Sequence, residues 1–213
     1  MQGLMGLSRI IDACNEKAGR ALSWLILVAV IVSTVNALIR KIFNSSSNAW
    51  LEAQWYLFGA VFMLCAAWTL SRREHIRIDI LSKELPVRLR QWLTLGGHLL
   101  FLMPFALLMI SLTWVYFGRS VVNGGEWDLT AGIFGKLGLV IARIAEDTAR
   151  AFGGTGETRW EYSNSAGGLV VWPAMLMILA GFVLLAIQGV SEIIKQIAIM
   201  RGLLPDPDTP KEG

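Results

Sequence analysis

Four long stretches of this chain contain no Asp, Glu, Lys or Arg, and that feature leaves few folds open to it. Ala21 to Ile39 and Ala53 to Ser71 are each 19 residues long, Gln91 to Gly118 is 28, and Tyr162 to Ser191 is 30. A helix needs about 20 apolar residues to cross the hydrocarbon core of a bilayer. Barrel strands are shorter and alternate in polarity, whereas these runs are apolar on every face. Only 16% of the residues are charged, against about 25% in a soluble domain. The expected fold is an all-α integral membrane protein with four transmembrane helices and additional amphipathic interfacial helices.

The polar segments divide the chain. Residues 1–20 place Leu4, Leu7, Ile10 or Ile11, Cys14 and Ala18 at helical spacing, with most charges elsewhere. That pattern predicts an amphipathic helix on the membrane surface. Residues 21–118 hold spans one to three, with a basic loop at 72–90. Pro86 fits the start of span three and Pro104 is expected to kink it. Residues 119–167 form a polar insertion in which Phe134, Leu137, Ile141, Ile144, Thr148 and Phe152 recur at steps of three and four. A second amphipathic helix is expected there, over about 130–152. Span four is expected within 168–199, followed by a proline-rich tail at 200–213. Asp12 and Glu16 occupy the place of a basic signal-peptide n-region, so an uncleaved first helix is expected.

Charge sets the orientation. The 72–90 loop holds Arg72, Arg73, Arg77, Lys83, Arg88 and Arg90. Basic loops stay in the cytoplasm, which puts this loop and, with four spans, both termini inside. The 119–167 insertion then lies on the outer side. Arg40 and Lys41 fall on the outer side, against the rule. Glu52 begins the next span across a short loop, so an Arg40–Glu52 ion pair is the expected compensation. Asn36 and Gln188, polar residues inside spans, are candidates for interhelical hydrogen bonds. Trp24, Trp50, Arg72 and Arg73 are placed for lipid-interface anchoring.

No catalytic constellation stands out. His75 lies outside the apolar runs and His98 within one, a poor arrangement for a transmembrane haem. Metal-ligand clusters, glycine-rich phosphate loops and nucleophile elbows are not found. Cys14 and Cys65 lie too far apart in the expected topology to pair. A net charge of +3 comes without any nucleic-acid-binding signature. The chain is therefore expected not to be an enzyme and to need no cofactor, metal or nucleic acid. A membrane-anchor subunit of an electron-transfer complex stays open as an alternative, since it also has four helices and few charges; a stand-alone membrane enzyme would need polar chemistry within its spans.

Three groups of residues carry a family resemblance. The first is Asn36-Ala37-Leu38-Ile39-Arg40-Lys41-Ile42-Phe43-Asn44 followed by Trp50-Leu51-Glu52. The second is Arg72-Arg73-Glu74-His75-Ile76-Arg77-Ile78-Asp79-Ile80-Leu81 ahead of Leu85-Pro86. The third is Glu161-Tyr162-Ser163, Gly167-Gly168-Leu169 and Trp172-Pro173. In this order, on four spans, they resemble the small (Q-type) membrane subunit of tripartite ATP-independent periplasmic (TRAP) transporters, over about Asn15 to Ile199. The chain departs from many relatives in having Glu52-Ala53 where they have two acidic residues, and in its long 119–167 insertion.

The resemblance implies a scaffold without catalysis. Its expected partners are a large membrane subunit with an elevator-type, sodium-coupled mechanism, a periplasmic substrate-binding protein that captures organic acids, and membrane lipids. The expected location is the cytoplasmic (inner) membrane of a bacterium or archaeon. It further implies structural or subunit-interface roles for Arg40, Asn44, Glu52, His75, Asp79, Glu161, Ser163, Trp172 and Pro173. The amphipathic insertion becomes a candidate docking surface.

Overall fold

The computed structural model describes residues 2–43, 47–72, 86–122, 133–153, 161–164 and 168–205. It contains helices α1 (Gln2–Leu22), α2 (Trp24–Phe43), α3 (Asn48–Ser71), α4 (Val87–Gly96), α5 (Met103–Val122), α6 (Ile133–Gly153) and α7 (Trp172–Met200), with a π-helical segment, Gly97–Leu102, joining α4 to α5. Among the described residues the only β feature is an isolated bridge between Tyr162 and Val170. Four helical stretches are long and apolar enough to cross a membrane: Gly3–Phe43, Asn48–Ser71, Val87–Val122 and Trp172–Met200. The expected all-α architecture with four spans is therefore found.

Helix α7 is the centre of the bundle. It packs against α1, α3, α4, α5 and the π segment, while α2 reaches the bundle mainly through α3. In lipid, helices gain little from hiding apolar surface from one another, so close packing and polar bonds must hold them. Small residues provide the close packing. A Cβ on Gly181 of α7 would stand 2.8 Å from the carbonyl oxygen of Met63 in α3, and one on Gly19 of α1 would stand 2.6 Å from the Trp68 ring. The large outward residues Phe62, Phe101, Leu107 and Leu108 are exposed, as lipid-facing side chains must be.

Local sequence explains the helix ends. Ser23 alone separates α1 from α2, and its hydroxyl donates to the carbonyl of Arg20. Pro104 has no N–H to offer the preceding turn. The helix widens just before it, with Met103 N–H reaching back to the carbonyl of His98. The expected kink site is thus a π segment, a known way for a helix to absorb such a break. At the end of α7, Gly202 takes φ +71°. Gly202 N–H then reaches the Ile199 carbonyl and Leu203 N–H the Ala198 carbonyl, both at 2.9 Å. That left-handed reversal closes the helix and suits glycine.

Two sequence expectations need correction. Span four is helical from Trp172 rather than from about 168, because residues 169–171 are engaged in pairing with 161–163. Helix α1 is amphipathic as expected, but its polar side is not left to water. Ser8 and Asn15 are buried against α7, while Leu4, Leu7 and Ile10 face outward.

The tight α3–α7 contact gives a direct test. Gly181→Ala should force the helices apart and cost about 1–3 kcal/mol of stability. Gly59→Ala, where a Cβ meets nothing within 4 Å, should be neutral or slightly stabilising. Thermal unfolding of the purified variants in one detergent compares them; equal losses at both positions would refute the close-packing account.

Candidate functional site

Polar residues buried between apolar helices are the natural place to look for function, because each unpaired group is costly there. Those that bond from one element to another through side chains gather in two clusters, one at each end of the bundle. The first joins α3 to the segment before α7. Glu52 is 7% exposed, in the first turns of α3. Its Oε1 accepts a hydrogen bond from Ser163 Oγ at 2.6 Å, and its Oε2 accepts one from Leu169 N–H at 2.7 Å.

The backbone shapes this loop to receive the carboxylate. Ser163 N–H donates to the Leu169 carbonyl and Val171 N–H to the Glu161 carbonyl, both at 2.9 Å. Glu161 N–H in turn reaches the carbonyl of Ser120 at the end of α5 at 3.2 Å. Trp172 packs beside a buried group made by Phe117 and Val121 of α5, Val140 of α6 and Leu179 of α7. Pro173 sits in the first turn of α7, where its missing N–H is harmless. One carboxylate thus ties together a loop that itself bridges α5 and α7, and α6 is docked on the same end.

The second cluster joins α1 to α7. Gln188 is fully buried. It accepts from Asn15 Nδ2 at 2.6 Å, and its Nε2 donates to Asp12 Oδ1 at 2.8 Å and to Glu192 Oε1 at 3.2 Å. Ser191 Oγ donates to Asp12 Oδ1 at 3.0 Å and lies 2.7 Å from Ser8 Oγ. Lys195 Nζ lies 3.0 Å from Asp12 Oδ2 and also pairs with Glu192. Nearby, Arg72 at the end of α3 reaches Glu16 of α1 at 2.8 Å. This last pair is exposed, so its worth is about 0–1 kcal/mol.

The structure redistributes the residues singled out from sequence. It brings Glu52 and Ser163 into direct contact, with the backbone of Glu161 and the ring of Trp172 alongside. The Glu161 side chain is exposed. Arg40 does not pair with Glu52. The carboxylate is turned to Ser163 and Leu169, and Arg40 instead lines an open cleft of about 410 Å³ with Ser33, Asn36, Ala37, Lys41, Leu51 and Gln54. Gln188 bonds between helices as expected, whereas Asn36 is buried but bonds to no other helix among the described residues. Trp24 and Trp50 are exposed. Asn44, Arg73, His75 and Asp79 lie outside the described residues. His98 Nδ1 donates to the Thr94 carbonyl at 2.7 Å within its own helix. Among the described residues no three His, Cys, Asp or Glu side chains converge as a metal site requires.

Ser8, Asp12 and Asn15 were not singled out from sequence. Their signal was present as a polar stripe at i, i+4 and i+7, matched by Gln188, Ser191, Glu192 and Lys195 on α7. On an amphipathic helix such a stripe is ordinarily the solvated face; here it meets its complement on another helix.

Two predictions follow from the clusters. Glu52→Gln leaves one oxygen acceptor and turns an amide donor toward another donor. It should lower stability by about 1.5–3 kcal/mol, the scale of a hydrogen bond to a charged group, with Ser163→Ala costing less. Thermal unfolding checks both, and unchanged melting in Glu52→Gln would deny the carboxylate its role. Asp12→Asn and Lys195→Met should couple in a double-mutant cycle by about 0.5–3 kcal/mol; additive losses would mean that the contact contributes nothing of its own.

A family model described as tripartite ATP-independent periplasmic transporters, DctQ component, matches residues 29–152, more than half of the chain. The matched region runs from within α2 to the end of α6 and includes Glu52. No curated protein and no solved structure matches the chain.

Proposed function

We propose a scaffold role from one premise: this chain belongs to the DctQ component family of tripartite ATP-independent periplasmic transporters. It is thus the small permease subunit of such a system and a multi-pass membrane protein, with a large membrane subunit and a substrate-binding protein as its partners. Its task is to hold the large subunit's static part in the membrane while the transport domain moves. In this reading the large subunit carries the substrate and the coupling ions, here organic acids and sodium, by an elevator-type movement. The small subunit performs no catalysis.

The observation that carries the reading is how the buried polar groups are used. Ser8, Asn15, Glu52, Gln188 and Ser191 each bond from one structural element to another. Groups engaged in this way stiffen a bundle. They are poorly placed to accept and release a passing solute, which needs binding groups that can exchange partners. A rigid body suits a fixed neighbour for a moving domain.

The reading includes an orientation and a membrane. The basic 72–90 loop and both termini lie in the cytoplasm, and the chain sits in the inner membrane of its cell. Helix α6 and the Glu52 loop then face the periplasm, where the binding protein arrives. Leu137, Leu139 and Ile141 are exposed on α6, which gives this helix an apolar surface for the large subunit, the binding protein or lipid headgroups.

Co-expression with the large subunit of the same system tests the role. Tagged small subunit should retain the large one through affinity purification, and uptake of a carboxylate should require both, together with a sodium gradient. Full uptake by the large subunit and binding protein alone would refute the scaffold role. Deleting residues 129–153 should lower uptake or complex yield; normal values of both would remove α6 from the docking surface.

A further inference from the structure

We propose that the cleft between α2 and α3 is a phospholipid site, with Arg40 and Lys41 holding the phosphodiester. The cleft measures about 410 Å³ and is lined by Ser33, Asn36, Ala37, Arg40 and Lys41 of α2 and by Leu51 and Gln54 of α3. That volume lies within the range of about 300–1,000 Å³ common for small-ligand sites. Ser33, Asn36 and Arg40 follow one face of α2 at steps of three and four. They span about 10 Å along the helix at 1.5 Å per residue.

The polar groups here differ from those elsewhere in the bundle. Asn36 is 7% exposed, yet among the described residues its amide makes no hydrogen bond. Arg40 and Lys41 form no ion pair with any described residue. The Gln54 amide is likewise uncommitted among them. A cation near a helix C-terminus is favoured by the helix dipole. That accounts for two basic residues in the last turn of α2, but not for an asparagine one turn earlier, 7% exposed, that lines the cleft instead of bonding to another helix. A ligand that accepts several hydrogen bonds and carries negative charge accounts for all of them.

The surroundings select the ligand class. Val35, Leu38, Ile39 and Ile42 are exposed on α2 beside the cleft, and Phe43, Trp50 and Trp55 are exposed at the same end of the bundle. Aromatic residues of this kind mark the depth at which headgroups meet hydrocarbon. A phospholipid offers both required parts at that depth: a phosphodiester for the cations and amides, and acyl chains for the apolar face of α2. Free inorganic phosphate offers only the first.

Native mass spectrometry of the full chain, purified in detergent and supplied with dioleoylphosphatidylglycerol, tests the site. Wild type should retain the lipid. Arg40→Gln and Lys41→Gln should each lower retention about fivefold, from about 1 kcal/mol per basic residue at a lipid surface, and Asn36→Leu should lower it while keeping the helix apolar. Thermal unfolding confirms that each variant is folded. Equal retention by wild type and the Arg40→Gln, Lys41→Gln double variant would overturn the proposal. Displacement of the lipid by inorganic phosphate alone would overturn the lipid assignment in favour of a bare anion site. Loss of the large subunit from the co-purified complex with lipid retention intact would assign the two cations to a partner's carboxylate and overturn it as well. Retention is measured without transport, so a negative result leaves the scaffold reading standing.

Discussion

Gln188 sits where the structure can least tolerate an unpaired amide. It lies fully buried in α7, the helix on which the bundle is assembled, and both ends of its amide are taken up. The oxygen accepts from Asn15, and the nitrogen donates to Asp12 and Glu192. Removing any one partner would leave a buried polar group in a medium that offers no water to replace it. The position of α1 follows from this constraint. With Ser8, Asp12 and Asn15 turned to α7, the apolar side of α1 has to face outward, and Leu4, Leu7 and Ile10 do. An amphipathic helix here wears its apolar face on the outside, a sensible arrangement where the surroundings are lipid or another membrane subunit.

The opposite end obeys the same rule with different chemistry. Glu52 is an acid near the start of a span, and a buried carboxylate is held by hydrogen bonds or not at all. The loop around Ser163 and Leu169 provides a hydroxyl and a backbone N–H within 2.7 Å. Because that loop also hydrogen-bonds to the end of α5 and leads directly into α7, one residue connects three of the long helices. Between the two ends the middle of the bundle needs little polar chemistry. Gly181 lets the α3 backbone approach α7 closely, and contact replaces hydrogen bonding there.

The spans were legible in the sequence because their signal is a long-range absence of charge, which needs no knowledge of partners. Pro104 was legible for a similar reason, since a missing N–H disturbs the helix wherever it sits. The partners of polar side chains were harder. Arg40 and Glu52 are opposite charges on neighbouring spans, and proximity along the chain suggested a pair. The carboxylate went instead to Ser163 and Leu169, more than a hundred residues away. That choice depends on how the 161–171 segment folds back, which no periodicity reveals. The α1–α7 seam was hidden for another reason. A polar stripe on an amphipathic helix has the same spacing whether it faces water or a second polar stripe, so Ser8 and Asn15 carried no mark of their burial.

Once polar residues are sorted by what they touch, rather than by charge, the two basic residues at the end of α2 acquire a different meaning. Asp12, Asn15, Glu52, Gln188 and Ser191 are consumed in joining helices, and their chemistry is spent on the fold. Asn36 is nearly buried and Arg40 and Lys41 are exposed in the last turn of α2, on the side that the distribution of basic loops would leave free of cations. They join nothing among the described residues. A bundle that satisfies Gln188 so completely does not leave an amide and two cations unused one helix away for want of geometry. Their stripe opens onto a cleft instead of a neighbouring helix, so their partner is to be sought among molecules that reach the bundle from the surrounding membrane.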